Sequence, residues 1–211
     1  QLFTDRSDAS GTGYFNPETN QYDDDLIIAA LGHRPILPTI LEVGESVGPV
    51  VSGSSHARVT CGAGDNAAAA LGLGARDGDL VVSLGTSGTI FGVTSMRPQD
   101  KTGAISGFAD ASGLFLPIAV TLNAARILST TANLLGVDFE EFAELALEAP
   151  IGSDGLVLVP YFEGERTPNL PNAKASLHGM SISSTTRANL ARASIEGMLC
   201  GLNAGLNALR S

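Results

Sequence analysis

The chain has 211 residues, of which 44% are hydrophobic, so it can bury a core and wholesale disorder is excluded. Its net charge of −10 excludes nucleic-acid backbones and anionic membrane surfaces as general partners. A small anion such as a nucleotide stays compatible with that charge, because backbone N–H groups bind it locally.

Two cysteines, Cys61 and Cys200, form neither a disulfide framework nor a zinc-ligand spacing, which points to a reducing cytoplasm. No signal peptide is evident, and no apolar run approaches the ~18 residues of a membrane span. The chain starts at Gln1 without a methionine and stops at Ser211 directly after a helical pattern, so both ends read as cuts in a longer protein.

In chain order, Leu2 to Thr12 is polar and turn-rich and reads as a loop. Tyr14 to Tyr22 contains the Asn16-Pro17 turn and a second turn. Asp23, Asp24 and Asp25 precede Leu26, Ile27, Ala30 and Leu31, which predicts an N-capped short helix ending at Gly32 and gives the acids no metal role. Residues 33–56, with Pro35, Pro38 and Pro49, read as irregular connection with short extended pieces. His33 and His56 stand alone and read as surface or packing residues.

From Arg58 a strand runs into Gly62-Ala63-Gly64-Asp65-Asn66, and an alanine-rich helix follows from about Asn66 to Gly74. Leu80–Leu84 is the next strand, and Gly85-Thr86-Ser87-Gly88 is the turn of a hairpin. Val81, Val82, Leu84, Ile90, Phe91 and Val93 predict that both its strands are anchored in a core. After a short apolar segment, Leu114 to Pro117, a helix face is expected from Ile118, Leu122, Ala125, Leu128, Ala132 and Leu135, closed by Gly136. Asp138 with Glu141 makes a capping box for a helix whose Phe142, Leu145, Ala146 and Ala149 face inward until Pro150.

Leu156 to Pro160 is a buried-strand candidate, and residues 161–176 form a polar loop longer than most connections. Ser184 to Arg210 reads as a helix with Leu190, Ile195, Met198, Leu199, Leu202, Leu206 and Leu209 on its apolar face. Ala193, Gly197, Gly201 and Gly205 make a second stripe. Each glycine costs a helix about 1 kcal/mol, so the stripe predicts a closely approaching neighbour, more often another helix than a ligand.

Asp65 has two readings. An Asp ahead of an alanine run is what a helix N-cap looks like. The flanking Gly62 and Gly64 also let the backbone turn and leave room beside a carboxylate, which a helix N-terminus keeps ionised and ready to take a hydroxyl proton. The same residues, as Gly62-x-Gly64-x-x-Ala67, fit the alanine-ended dinucleotide fingerprint. That pattern calls for a ribose-binding acid at the end of the next strand, where Leu80–Leu84 runs into Gly85-Thr86-Ser87-Gly88 instead. The Walker pattern is absent. The hairpin tip reads either as an ordinary turn of small residues or as a set of donors for phosphate oxygens.

An acid at a helix start with a GTSG hairpin about twenty residues on is a far more specific pattern than either alone. Taken with SDASGT (7–12), GAGDNAAAALG (62–72), SLGTSG (83–88) and GERTP (164–168), the chain resembles the FGGY carbohydrate kinases, the xylulokinase branch most closely. The resemblance implies an α/β, actin-like ATPase (ribonuclease H-like) fold. Residues 1–76 would then be the end of the N-terminal, sugar-binding domain and residues 77–211 the start of the C-terminal, nucleotide-binding domain.

It also implies ATP with Mg2+, and D-xylulose converted to D-xylulose 5-phosphate in pentose catabolism. Asp65 would be the catalytic base. Gly62, Gly64 and Asn66 would shape the sugar end, and Gly85, Thr86, Ser87 and Gly88 would face the ATP phosphates. The GERTP loop, with Glu165 and Arg166, would sit near the interdomain region without assigned chemistry, and the glycine stripe would lie on the nucleotide side. No protein residue is assigned to a metal.

The family's first phosphate loop, with its magnesium-organising acid, and its adenine-binding segment are not in this sequence. The chain alone is therefore expected to be a poor or inactive kinase with an uncovered sheet edge that invites self-association, such as a homodimer. Three alternatives stay open: a non-catalytic actin-like nucleotide-binding module, a Rossmann dehydrogenase, and a related kinase for L-ribulose, glycerol or gluconate.

Overall fold

The computed structural model describes residues 2–51, 53 and 56–210. Gln1, Ser211 and, within the stretch expected to be irregular, Ser52, Ser54 and Ser55 lie outside them. The chain begins with β1 (Phe3–Asp5), α1 (Arg6–Ser10), β2 (Phe15–Asn16), β3 (Gln21–Tyr22), α2 (Asp24–Leu31), β4 (Thr39–Leu41), β5 (Ser46–Pro49), β6 (Arg58–Thr60) and α3 (Asp65–Leu73). It continues with β7 (Leu80–Leu84), β8 (Gly88–Gly92), β9 (Ser106–Ala109), β10 (Phe115–Thr121), α4 (Ala125–Leu135), α5 (Phe139–Glu148), β11 (Val157–Val159), β12 (Ser176–His178) and α6 (Arg187–Arg210).

Two compact units result: Gln1–Val81 with Phe91–Lys101 and Ser106–Ile118, and Val82–Ile90 with Thr102–Ile105 and Ala119–Ser211. A four-stranded sheet has the strand order β7-β8-β10-β9.

Local caps act where the sequence places them. Asp23 accepts the Leu26 N–H, and Gly32 closes α2 in the left-handed region. Asp138 accepts the Glu141 N–H, and Gly136 and Gly74 close α4 and α3 at positive φ. Cys61 and Cys200 are free thiols.

In the first unit, the stretch from Leu2 to Thr12 corrects the expected loop. Asp5 Oδ1 accepts the N–H groups of both Ser7 and Asp8 at 3.0 Å, an N-cap that starts α1. β1 pairs in parallel with β4, Thr4 opposite Ile40. Ala9, Phe15 and Ala109 form a small core with Tyr22 and Ile40.

Beside it lies a buried ion pair, Arg6 to Asp110 at 3.3 Å, with the guanidinium also donating to the carbonyls of Leu114 (2.8 Å) and Pro17 (3.1 Å). Asp110 further accepts the N–H groups of Ser112, Gly113 and Leu114 and the Ser112 hydroxyl, which shapes the turn from β9 to β10. Burial draws the Arg6 pKa down, while the charges of Asp110 and Glu42 hold it up.

Several expectations are corrected from β7 onward. Residues 118–121 are strand, the end of β10, and the helix begins at Ala125. The spacing of Ile118 and Leu122 imitated a helical face, but β-branched Ile118, Val120 and Thr121 suit the pleated surface they occupy. The last helix starts at Arg187, where the Thr186 hydroxyl accepts the Asn189 N–H, and Leu199 is 49% exposed rather than on the apolar face.

β7 is not anchored in a core as β8 is. Val82 and Leu84 are more than half exposed, while Ile90 and Phe91 are buried: among the described residues β7 is the edge strand of its sheet and pairs with β8 alone, whereas β8 lies between β7 and β10.

The core of the second unit joins Ile90, Ala124, Ile127, Leu156, Leu158, Ala193, Met198 and Leu202. A second cluster joins Ala132, Phe142, Ala146 and Ala191. The glycine stripe of α6 packs on strand, not helix: a Cβ on Gly197 would stand 2.3 Å from the Leu158 carbonyl oxygen in β11. A Cβ on Gly205 would stand 3.2 Å from Ala119 in β10 and 3.4 Å from Ile90 in β8.

Candidate active site

The acid end of the site is built by α1 and α3. Gly64, not Asp65, is the N-cap residue of α3, and no side chain caps it. Asp65 is the first helical residue; it is exposed, and its Oδ1 accepts the Asn66 N–H at 2.8 Å. The cap reading is corrected to that extent, and the carboxylate keeps a free face in the positive field of the helix start.

Asp65 and Asn66 line a cleft of about 150 Å³ with Ser7, Asp8, Gly64 and Phe108. Ala67, Ala109, Leu116 and Ile118 line it as well, so the polar groups of Ser7, Asp8, Asp65 and Asn66 face an apolar wall.

What aims Asp65 is a relay absent from the expectations. The Ser7 hydroxyl donates to Asp5 Oδ1 at 2.5 Å and accepts the Gly64 N–H at 2.8 Å. A Cβ on Gly62 would come within 3.2 Å of Asp5 Oδ2, so glycine there makes room for Asp5 rather than for Asp65. The sequence signal was present as Asp5 followed by three polar residues, Arg6, Ser7 and Asp8, ahead of Ala9, a capping pattern obscured by the turn-rich composition around it.

The phosphate-facing candidates belong to the other unit. Gly85, Thr86 and Ser87 are exposed and Gly88 is buried. The Gly85 N–H is used inside the loop, donating to Ser87 O at 3.0 Å, and the Gly85 carbonyl accepts the Ala125 N–H of α4 at 3.0 Å. A Cβ on Gly88 would lie 2.6 Å from Leu202 Cδ2 and 2.7 Å from Thr121 Oγ1. The two glycines therefore shape and seat the loop, which leaves Thr86 and Ser87 as its outward polar residues.

In the GERTP loop Glu165 is buried, at 3% exposure, and Arg166 is exposed. Among the described residues no group of three or more His, Cys, Asp or Glu is placed to hold a metal ion. A magnesium ion arriving with nucleotide needs no such cage, because phosphates and water supply most of its ligands.

The dinucleotide reading of Gly62, Gly64 and Ala67 fails on topology. It requires parallel strands on either side of the helix, whereas β6 pairs antiparallel with β5 in a two-stranded sheet that does not contain β7.

Known proteins agree with this architecture. The C-terminal domain model of the FGGY family of carbohydrate kinases matches residues 80–211. A xylulose kinase of Streptomyces rubiginosus is 45% identical over 210 residues, which cover 97% of this chain and 42% of that protein. The crystal structure of xylulose kinase from Bifidobacterium adolescentis aligns with TM-score 0.86 at 44% identity, over 99% of this chain and 45% of that one. Gluconate kinase from Lactobacillus acidophilus aligns with TM-score 0.90 at 26% identity, over 99% of this chain and 45% of that one.

The chain thus spans less than half the length of these relatives. It has the α/β, actin-like ATPase fold of these sugar kinases. On the family match and on relatives aligned along almost its whole length, the chain belongs to the FGGY family of carbohydrate kinases.

Proposed function

We propose that the protein containing this chain transfers the γ-phosphoryl group of Mg-ATP to a hydroxyl of D-xylulose, giving D-xylulose 5-phosphate and ADP. The observation that carries this reading is the exposed Asp65 carboxylate at the first turn of α3, lining a cleft with Ser7, Asp8 and Asn66, in a chain 45% identical to a xylulose kinase. In this reading residues 1–76 close the sugar-binding domain and residues 77–211 open the nucleotide-binding domain, in line with the family match from residue 80. The reaction belongs in the cytoplasm, where ATP is supplied; among the described residues no helix is long and apolar enough to cross a membrane.

Asp65 takes the proton of the attacking hydroxyl while Gly64 and Asn66 shape the sugar end, and Gly62 acts at one remove by leaving room for Asp5. Thr86 and Ser87, seated by Gly85 and Gly88, present donors to the phosphate oxygens. Magnesium accompanying ATP would offset the negative charge on the phosphate oxygens, and the chain's own work is positioning and proton removal. Withdrawal of water from the cleft protects the phosphoryl group from hydrolysis.

The test is ADP release by the full-length protein with Mg-ATP across D-xylulose, L-ribulose, glycerol and gluconate, beside a control without sugar. Turnover on D-xylulose above the others is the expected result. Turnover on gluconate instead would keep Asp65 and move the acceptor, as the likeness to a gluconate kinase allows. ADP release independent of every sugar would replace this reading with a nucleotide-binding module that does not act on sugars.

A further inference from the structure

We propose that Glu165 is a positioning residue for the hairpin that faces the nucleotide phosphates, an inference that rests on the kinase reading above. The GERTP loop is longer than a connection needs, and the mechanism leaves its acid unused. Glu165 is nevertheless 3% exposed, and its carboxylate meets three donors. Oε1 accepts the N–H groups of Leu122 at 2.6 Å and Arg166 at 2.7 Å, and Oε2 accepts Asn123 Nδ2 at 3.0 Å. The same Asn123 amide also donates to the Gly164 carbonyl at 2.7 Å.

Leu122, Asn123 and Ala124 are the link between β10 and α4, and the hairpin is fastened to both ends of that link. On one side the Thr121 hydroxyl donates to the Gly88 carbonyl at 3.3 Å. On the other the Ala125 N–H donates to the Gly85 carbonyl at 3.0 Å. Thr86 and Ser87 lie between these two anchored carbonyls, so a shift of the link shifts both supports of the loop.

Glu165 can hold the link because its own loop is braced. Glu165 and Leu170 exchange backbone hydrogen bonds at 2.9 and 2.8 Å, and the Thr167 hydroxyl donates to the Ala104 carbonyl at 3.4 Å. Gly164 has φ +76°, and a Cβ there would stand 2.3 Å from the Pro171 carbonyl oxygen, so the turn into Glu165 is closed to other residues.

The chemistry specifies an acid. All three partners are donors, and hydrogen bonds to an ionised acceptor are roughly twice as strong as neutral ones. A glutamine of the same shape would turn its NH2 toward a donor, and the buried group it faces would lose its partner.

The experiment measures ADP and D-xylulose binding by calorimetry in the full-length protein and in Glu165→Gln and Asn123→Ala, with sugar stoichiometry fixing the concentration of folded protein. Glu165→Gln should weaken ADP about tenfold, and Asn123→Ala, which keeps the carboxylate and its two backbone bonds, about threefold, with D-xylulose affinity unchanged in both. If Glu165→Gln does not fold, Asn123→Ala carries the measurement.

ADP affinity unchanged in the folded variants, or both ligands weakened alike, overturns the proposal while a binding parent preserves the kinase reading. A parent that binds neither ligand overturns the kinase reading, and this inference falls with it.

Discussion

The Ser7 hydroxyl accepts the Gly64 N–H at 2.8 Å across 57 residues of sequence. It donates at the same time to Asp5, the cap of α1, so the starts of α1 and α3 are tied through one oxygen atom. Asp65 follows Gly64 directly, and its direction into the cleft is inherited from that tie. Replacing Ser7 with Ala should lower kcat of the full-length protein about tenfold while the KM for ATP stays as it was. Steady-state kinetics on D-xylulose decide it, and an unchanged kcat would remove Ser7 from the site.

Asp65→Asn keeps the size and the bond to the Asn66 N–H but cannot take a proton. Turnover should fall by about 10² to 10⁴, the usual worth of a general base, with ADP affinity preserved. Single-turnover kinetics beside ADP titration separate the two quantities, and a mutant as fast as its parent would refute the assignment.

The stripe of α6 yields a paired prediction. Gly197→Ala would set a Cβ 2.3 Å from a backbone carbonyl of β11, so helix and strand must separate, at a cost of about 1–3 kcal/mol. Gly201→Ala meets Pro160 Cγ only at 4.0 Å, an ordinary contact, and should stabilise by up to about 1 kcal/mol through helix propensity. Chemical denaturation of both variants checks the difference; equal effects would contradict the packing.

Glu196 predicts a pH dependence. Burial pushes its carboxyl up, but the Gly152 N–H and Arg192 outweigh that and hold it below the ordinary carboxylate value. A folded-state pKa below the unfolded one stabilises above the unfolded value, about 4.3, and that contribution disappears as pH falls through the lowered folded value. The advantage of the parent over Glu196→Gln should therefore be full near pH 6, where it is below about 1 kcal/mol because the pair is partly solvated, and disappear as the pH falls through the lowered folded value. Thermal melts across that range read it directly, and a difference that does not change with pH would exclude the carboxylate as its source.

What the sequence by itself determined is what is written within a few residues. The caps at Asp23 and Asp138 and the left-handed closures at Gly32, Gly74 and Gly136 follow from bonds that span one helical turn. The joint pattern of Asp65 and the Gly85–Gly88 turn is longer in range, yet it too is legible as residue types at a fixed spacing, and it carried the resemblance to the family. Where local and distant signals compete, tertiary structure decided.

Ile118 to Thr121 could satisfy a helical period, but sheet pairing claimed them as the end of β10. The stripe of α6 announced a close neighbour, yet only the fold made that neighbour the strand β11. Arg6 finds Asp110 across 104 residues, and Glu165 finds Leu122 across 43. A buried charge has to be paired or hydrogen-bonded, but nothing within one turn of chain says by which partner, because its donors converge only after the strands and helices that carry them have packed.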